Sequence, residues 1–339
     1  MRVADRTSSR NYLKYLNGAK LAYSKTNEQI ASGNRFERLS DDVSAGTRVM
    51  RVRMDMYKVQ KRLDNVSSVA EEVSMTEDTM TTIQDILTRT HTLSVKAQSE
   101  NVGESGRTAI ANEIKTLQEE LLSAANTRYG QKYIFGGTNS SITAPFAADK
   151  DGKLTYNGIL VDSIQKDDEG FYYMDGAERK SIPMDGNVFM DVGLGITMDG
   201  SKVDTNTAYS TSHSGLDILG FGSDGDGQTN NIYNILTELE SNIRNYNSDA
   251  LGKSDNKLST LSDQFRANLT NIGSKSSFLE NMESRLQNTV DNYKKRIYGL
   301  MGTDDTEAAT TQTMNEYVLK AVLQMGSKVL PVSLMDFLN

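Results

Sequence analysis

The chain has no cysteine, no tryptophan, three prolines and two histidines in 339 residues. Without Cys there is neither a disulfide nor a thiolate metal site, and two isolated His residues do not make a His-based one. Pro145, Pro183 and Pro331 leave residues 1–144 and 184–330 free of the residue that breaks helices outright. Aromatics reach only 7%, whereas Ser, Thr, Asn and Gln are abundant. The 37% of hydrophobic residues must therefore pack as Leu, Ile, Val, Met and Ala in helix seams, not as a bulky enzyme interior. No apolar run reaches the length that spans a membrane, and the opening Met-Arg-Val-Ala-Asp-Arg-Thr-Ser-Ser-Arg lacks the apolar centre of a signal peptide. If the protein leaves the cell, another export route is expected.

Charge is unevenly spread. The net charge is −8, yet residues 1–63 carry fourteen Lys/Arg against six Asp/Glu, which is +8 and leaves −16 for the rest. The basic charges surround an amphipathic helix with no interleaved aromatic platform for bases, so they read as a solvated face or an arm toward an acidic neighbour. A nucleic-acid partner is not expected.

What the sequence does contain is heptads. Tyr12, Leu16, Ala19, Tyr23, Thr26 and Ile30 step by four and three, and Ser32-Gly33 closes the helix. After a break, Ser40, Asp41 and Asp42 are cap candidates for a second helix. Its seam is Val49, Val52, Met56, Val59, Leu63, Val66, Ala70 and Val73, continuing through Met80, Ile83 and Leu87 toward Ala97. Ile110, Ile114, Leu117, Leu121 and Ala124 give a third helix turning back along it. Late in the chain Ile232, Leu236, Leu239 and Ile243 restore the helical period, and twelve steps from Leu258 to Leu300 average 3.5 residues. This long seam is the expected partner of the second helix. The tail then shows Val318, Val322, Met325 and Val329 on one stripe, with Leu319, Leu323 and Leu330 beside it. A helix apolar on two faces needs a partner on both. A lipid surface is the poorer candidate, because Lys320, Gln324, Lys328 and Asp336 do not form the basic face of an interfacial helix.

Between the arms, residues 139–229 are dense in Gly and Asp. Turn pairs such as Asp151-Gly152, Asn157-Gly158, Asp185-Gly186 and Asp199-Gly200 separate short β-prone runs. The predicted fold is mainly α: a long antiparallel coiled-coil bundle of the N- and C-terminal arms, with an inserted small β-rich domain. The division expected is 1–41 plus 302–339, then 42–138 plus 230–301, then 139–229.

Motifs that suggest chemistry do not hold. Gly220-Phe-Gly222-Ser-Asp-Gly225 has dinucleotide-loop spacing but no enclosing βαβ unit, and reads as a flexible junction. Asp224-Gly-Asp226 starts like a calcium loop, yet Thr229 and Ile235 stand where Gly and Glu are required. His91 and His213 have no triad spacing. No catalytic residue, cofactor or metal is assigned, and no enzyme is expected.

Ser32-Gly-Asn-Arg-Phe-Glu-Arg-Leu-Ser-Asp-Asp-Val43 resembles the segment after the first helix in the bacterial flagellin family. Ala125-Asn-Thr-Arg-Tyr-Gly-Gln-Lys-Tyr-Ile-Phe-Gly-Gly-Thr138 with Ala144-Pro-Phe146, the opening Met1-Arg-Val and the ending Ser333-Leu-Met-Asp-Phe-Leu338 are similar to its hook-filament junction branch. Filament flagellins differ at both ends, and Val43 stands where the family has Pro. The resemblance covers 1–146 and 230–339.

It implies a secreted structural subunit of the flagellum, exported without a cleaved signal peptide through the flagellar type III apparatus. It also implies a ring of identical copies between the first junction protein and filament flagellin. The assembly residues it implies are Tyr12, Leu16, Ala19, Tyr23, Ile30, Val318, Leu319, Val322, Leu323, Met325, Val329, Leu334, Phe337 and Leu338. Before export, a dedicated chaperone would cover Val318, Val322, Met325 and Val329. A filament flagellin, and a coiled-coil binding protein using the basic arm, stand as the alternatives.

Overall fold

The computed structural model describes residues 2–99, 101–137, 143–167, 170–182, 189–191, 196–200, 202–203, 209–210, 214–225 and 227–329. The fold is mainly α with small antiparallel sheets. Seven helices are described: α1 (Arg2–Ser32), α2 (Val43–Ala97), α3 (Glu104–Ala125), α4 (Gly215–Leu219), α5 (Ile232–Arg244), α6 (Ser248–Met301) and α7 (Asp305–Val329). The expected antiparallel helical architecture with a β insert is what forms. The chain divides into two compact units, 1–60 with 287–339 and 61–286, whose boundaries fall inside α2 and α6.

In the unit of residues 61–286, the α2 seam is buried at Leu63, Val66, Val73, Met80, Ile83 and Leu87, while Ala70 is half-buried. Opposite it, α6 buries Leu258, Leu261, Phe265, Ile272, Leu279, Met282 and Leu286. Gln84 Nε2 donates to Ser262 Oγ at 3.3 Å and His91 Nδ1 lies 3.1 Å from Asp255 Oδ1, so the two helices run antiparallel. Helix α3 returns along α2, tied by the Arg89–Glu113 ion pair at 2.5 Å. Gln118 of α3 then donates to Thr237 Oγ1 of α5 at 2.5 Å. Ala124 is only half-buried and Ala125 takes the inward position.

The β-rich part belongs to this same unit. Strands β1 (Arg128–Tyr129) and β2 (Lys132–Tyr133) form a hairpin, and β3 (Phe146–Ala148), β4 (Leu154–Tyr156) and β5 (Ile159–Leu160) form a three-stranded sheet. A second such sheet has β6 (Ile164–Asp167), β7 (Gly170–Asp175) and β8 (Glu178–Ser181). The pairs β9 (Phe189–Met190) with β12 (Tyr209–Ser210), and β10 (Met198–Asp199) with β11 (Lys202–Val203), complete the described strands. Asn157 and Gly158 both have positive φ, 50° and 83°, as a two-residue turn between β4 and β5 requires. Asp185-Gly186 lies outside the described residues. The sheet is bolted to the helices by side-chain amides: Asn126 bonds both the carbonyl and the N–H of Phe146, and Asn234 accepts from Leu154 N at 2.8 Å.

The segment expected to be a flexible junction is instead pinned. Gly222 N donates to Val161 O at 3.0 Å, Asn230 N donates to Gly222 O at 2.9 Å, and the buried Asn231 Nδ2 donates to the carbonyls of Leu219 and Gly220. Glycine spacing alone shows backbone freedom, whereas these hydrogen bonds arise only when distant carbonyls arrive. A Cβ on Gly220 would lie 1.9 Å from Asn230 O, at φ 84°.

In the unit of 1–60 with 287–339, α1 pairs with α7. Gly33, at φ 66°, ends α1, and Thr303 N donates back to Gly33 O at 2.9 Å. Arg35 N donates to Met301 O at 2.7 Å, and Phe36, Val49 and Met301 form a small core with Ala45, Ile297 and Leu300. Asp304 opens α7 by accepting from Thr306 N and Glu307 N.

Candidate assembly surface

Helices α1 and α7 run antiparallel, because Asn27 meets Gln312, Thr26 meets Asn315 and Tyr12 meets Gly326. On α1 the heptad read from sequence faces the partner: Ala19 and Thr26 are buried, and Tyr12, Leu16 and Tyr23 half-buried. Ile30 is 39% exposed and lies at the edge of the seam.

On α7 the inward row is Ala308, Gln312, Asn315, Leu319, Val322 and Gly326, again in steps of four and three. Of the tail residues singled out by hydrophobicity, Leu319 and Val322 share this row and are half-buried. Val318 (43% exposed), Leu323 (53%) and Met325 (61%) do not. Val318 and Met325 instead join Met314 and the half-buried Ala321 in a second heptad row, about 100° round the helix from the inward one. The helical residue Val329 has no described side chain, and Leu334, Phe337 and Leu338 lie outside the described residues.

Hydrophobicity alone missed four of the six residues of the inward row. Its contacts include an amide layer and a glycine: Asn315 Nδ2 donates to Thr26 Oγ1 at 2.8 Å, Gln312 Nε2 donates to Asn27 Oδ1, and a Cβ on Gly326 would meet the Tyr12 hydroxyl at 2.1 Å. The signal was the spacing of Ala308, Gln312, Asn315 and Gly326, which carry little or no apolar side chain.

Among the cap candidates, Asp42 Oδ1 accepts from Ala45 N at 2.9 Å, the bond that satisfies a free N–H in the first turn of α2. Its other oxygen pairs with Arg35 at 3.1 Å. Asp41 Oδ2 accepts from Arg38 N at 3.4 Å inside the preceding turn, and Ser40 is exposed.

The groups that invited a catalytic reading are used in folding. His91 ties α2 to α6 through Asp255. Asp224 pairs with Lys257 at 2.8 Å and accepts from Gln228 N, and His213 lies outside the described residues. Among the described residues, no group of three or more His, Cys, Asp or Glu side chains is arranged to hold a metal ion. No described helix is long and apolar enough to cross a membrane.

Comparison with known proteins agrees with this helical geometry. Residues 3–140 match the bacterial flagellin N-terminal helical region. Flagellar hook-associated protein 3 of Escherichia coli is 25% identical over 152 residues, spanning 44% of this chain and 47% of that protein. The chain thus spans less than half the length of that relative. The flagellar filament 41 kDa core protein of Borreliella burgdorferi is 22% identical over 337 residues, 93% of this chain and 92% of that one. A solved structure described as a flagellar hook-associated protein from Vibrio parahaemolyticus superposes with a TM-score of 0.56 at 15% identity, covering 77% of this chain and 99% of that one. Residues 3–140 are thus similar to the bacterial flagellin N-terminal helical region, part of the chain resembles flagellar hook-associated protein 3, and the fold is that of a solved hook-associated structure.

Proposed function

We propose that this chain is a structural subunit of the bacterial flagellum that assembles as a ring at the hook-filament junction and serves as the adaptor on which filament flagellin polymerises. The observation that carries the reading is the second heptad row of α7, Met314, Val318, Ala321 and Met325, largely exposed and about 100° round the helix from the row already packed on α1. Burying each large side chain of that row against a neighbour gains roughly 1.5–3 kcal/mol. The α1·α7 pair (1–41 with 302–339) then forms an inner tube, 42–138 with 230–301 the next shell, and 139–229 the outer surface. The neighbours are further copies, the first junction protein and filament flagellin. Before export, the same row is the place for a chaperone that delivers the chain to the type III apparatus, and the assembled subunit is extracellular.

The test is motility of a deletion strain carrying the intact gene or the Val318→Asp/Met325→Asp variant. The intact chain restores swimming, while the variant is made and folded but leaves filament protein secreted and unpolymerised. Full swimming with the variant overturns the role of this row. The filament reading is kept because the Borreliella relative matches across nearly the whole chain. In that case the deletion removes the filament protein itself, and no monomeric flagellin appears in the medium.

A further inference from the structure

Helix α2 is electrically divided along its length. Residues 43–63 hold six Lys/Arg and one Asp, whereas 64–97 hold six Asp/Glu and two Lys/Arg. On the basic part, Val43, Met50, Met54 and Tyr57 are exposed, at 56–65%, and their spacing of seven, four and three puts them on one face. The buried Val52 lies on the opposite side of the helix, and Arg51 and Lys58, seven residues apart, line one edge of that face.

Within residues 61–286, an open groove follows α2 and α3. Its floor is apolar, with Ile86, Leu117 and Ala124, and its rims carry Asp78 and Asp85 on one side and Glu113 and Glu120 on the other. Each acidic pair is also spaced by seven residues, a repeat of about 10.5 Å along a helix. Asp78, Asp85 and Glu120, like Arg51 and Lys58, have no ion-pair partner among the described residues. From Met75 to Arg89 the groove follows fifteen residues of α2, and the basic stripe from Val43 to Tyr57 is equally long, about 21 Å each.

We infer that the α2–α3 groove of one copy receives the basic apolar stripe of α2, residues 43–58, from a second copy of this chain. Matching length, charge and heptad spacing select this occupant, as in a helix laid into an apolar groove with complementary rims. Groove and stripe are different patches, so the contact is head-to-tail and propagates from copy to copy instead of closing as a two-fold dimer. It rests on the reading of the chain as an assembling subunit.

The absence of native cysteine makes the test clean. The full chain with Met54→Cys and Thr82→Cys together, oxidised at high concentration, gives a ladder of covalent oligomers, while each single-Cys chain gives none. In sedimentation, Arg51→Glu/Lys58→Glu and Asp85→Lys/Glu120→Lys each weaken self-association on the order of tenfold or more, and the four changes combined restore it. No ladder, or no recovery in the combined variant, overturns the proposal, including the case where the groove holds another protein. A chain that restores swimming yet does not cross-link keeps the flagellar reading and removes this contact. A chain that cross-links but does not restore swimming does the reverse.

Discussion

Single residues set the tolerances of the fold. Gly220 combines φ 84° with a backbone carbonyl 1.9 Å from any added Cβ, so neither a rotamer change nor a small shift relieves it. Gly220→Ala is expected to cost at least about 2 kcal/mol, seen as a lowered denaturation midpoint. Glu238 acts differently. Burial raises its pKa above the ordinary 4.5, and Asp162 and Asp224 raise it further, while Lys153 and Lys257 pull it down. The folded chain thus holds that proton more tightly than the unfolded one. This contribution to stability is full below the unfolded-state value and is lost as pH rises through the raised folded value. Glu238→Gln should melt higher than the parent at pH 7, with the difference closing near pH 4; an equal gap at both pH values would refute it.

At the scale of elements, the terminal pair explains why hydrophobicity alone assigned the tail its roles imperfectly. The inward row of α7 mixes Leu319 and Val322 with Gln312, Asn315 and Gly326. Buried amides in a helix seam cost stability and fix register, since only one alignment pairs them. Replacing Asn27 and Gln312 together by Leu should hold or raise the melting temperature while admitting shifted alignments, read as a broadened set of α1–α7 cysteine cross-links. Val322→Asp places a charge in the packed row and should loosen α1 from α7 in the isolated chain, measured as faster proteolysis of both helices. Val318→Asp and Met325→Asp, on exposed positions, should leave that proteolysis unchanged. The junction segment after α1 has its own keystone: truncating Phe36 to Ala, in the cluster with Val49 and Met301, should cost about 3–5 kcal/mol locally.

At the scale of the molecule, stability is unevenly shared. The largest fully buried side chains, among them Tyr156, Phe135, Phe146, Phe265 and Met80, all belong to residues 61–286. The other unit rests on small or few groups such as Ala19, Thr26, Phe36, Met301 and Ala308. Amide exchange should therefore be faster along α1 and α7 than along α3 and α5, and equal protection would contradict this distribution. The heptads of residues 49–87 and 258–300 were readable in advance because a period near 3.5 with apolar side chains permits one kind of burial. The cysteine count, the two prolonged proline-free arms and the Asn157-Gly158 turn were likewise settled by local chemistry. Three things were decided only in three dimensions: which row of α7 meets α1, that Gly220–Gly225 is pinned, and that the β insert is hydrogen-bonded to the end of α3 and to α5. Each depends on a polar or glycine contact between segments far apart in the chain. A hydrophobic pattern records which residues must leave water, and does not record which carbonyl or amide will be waiting for them.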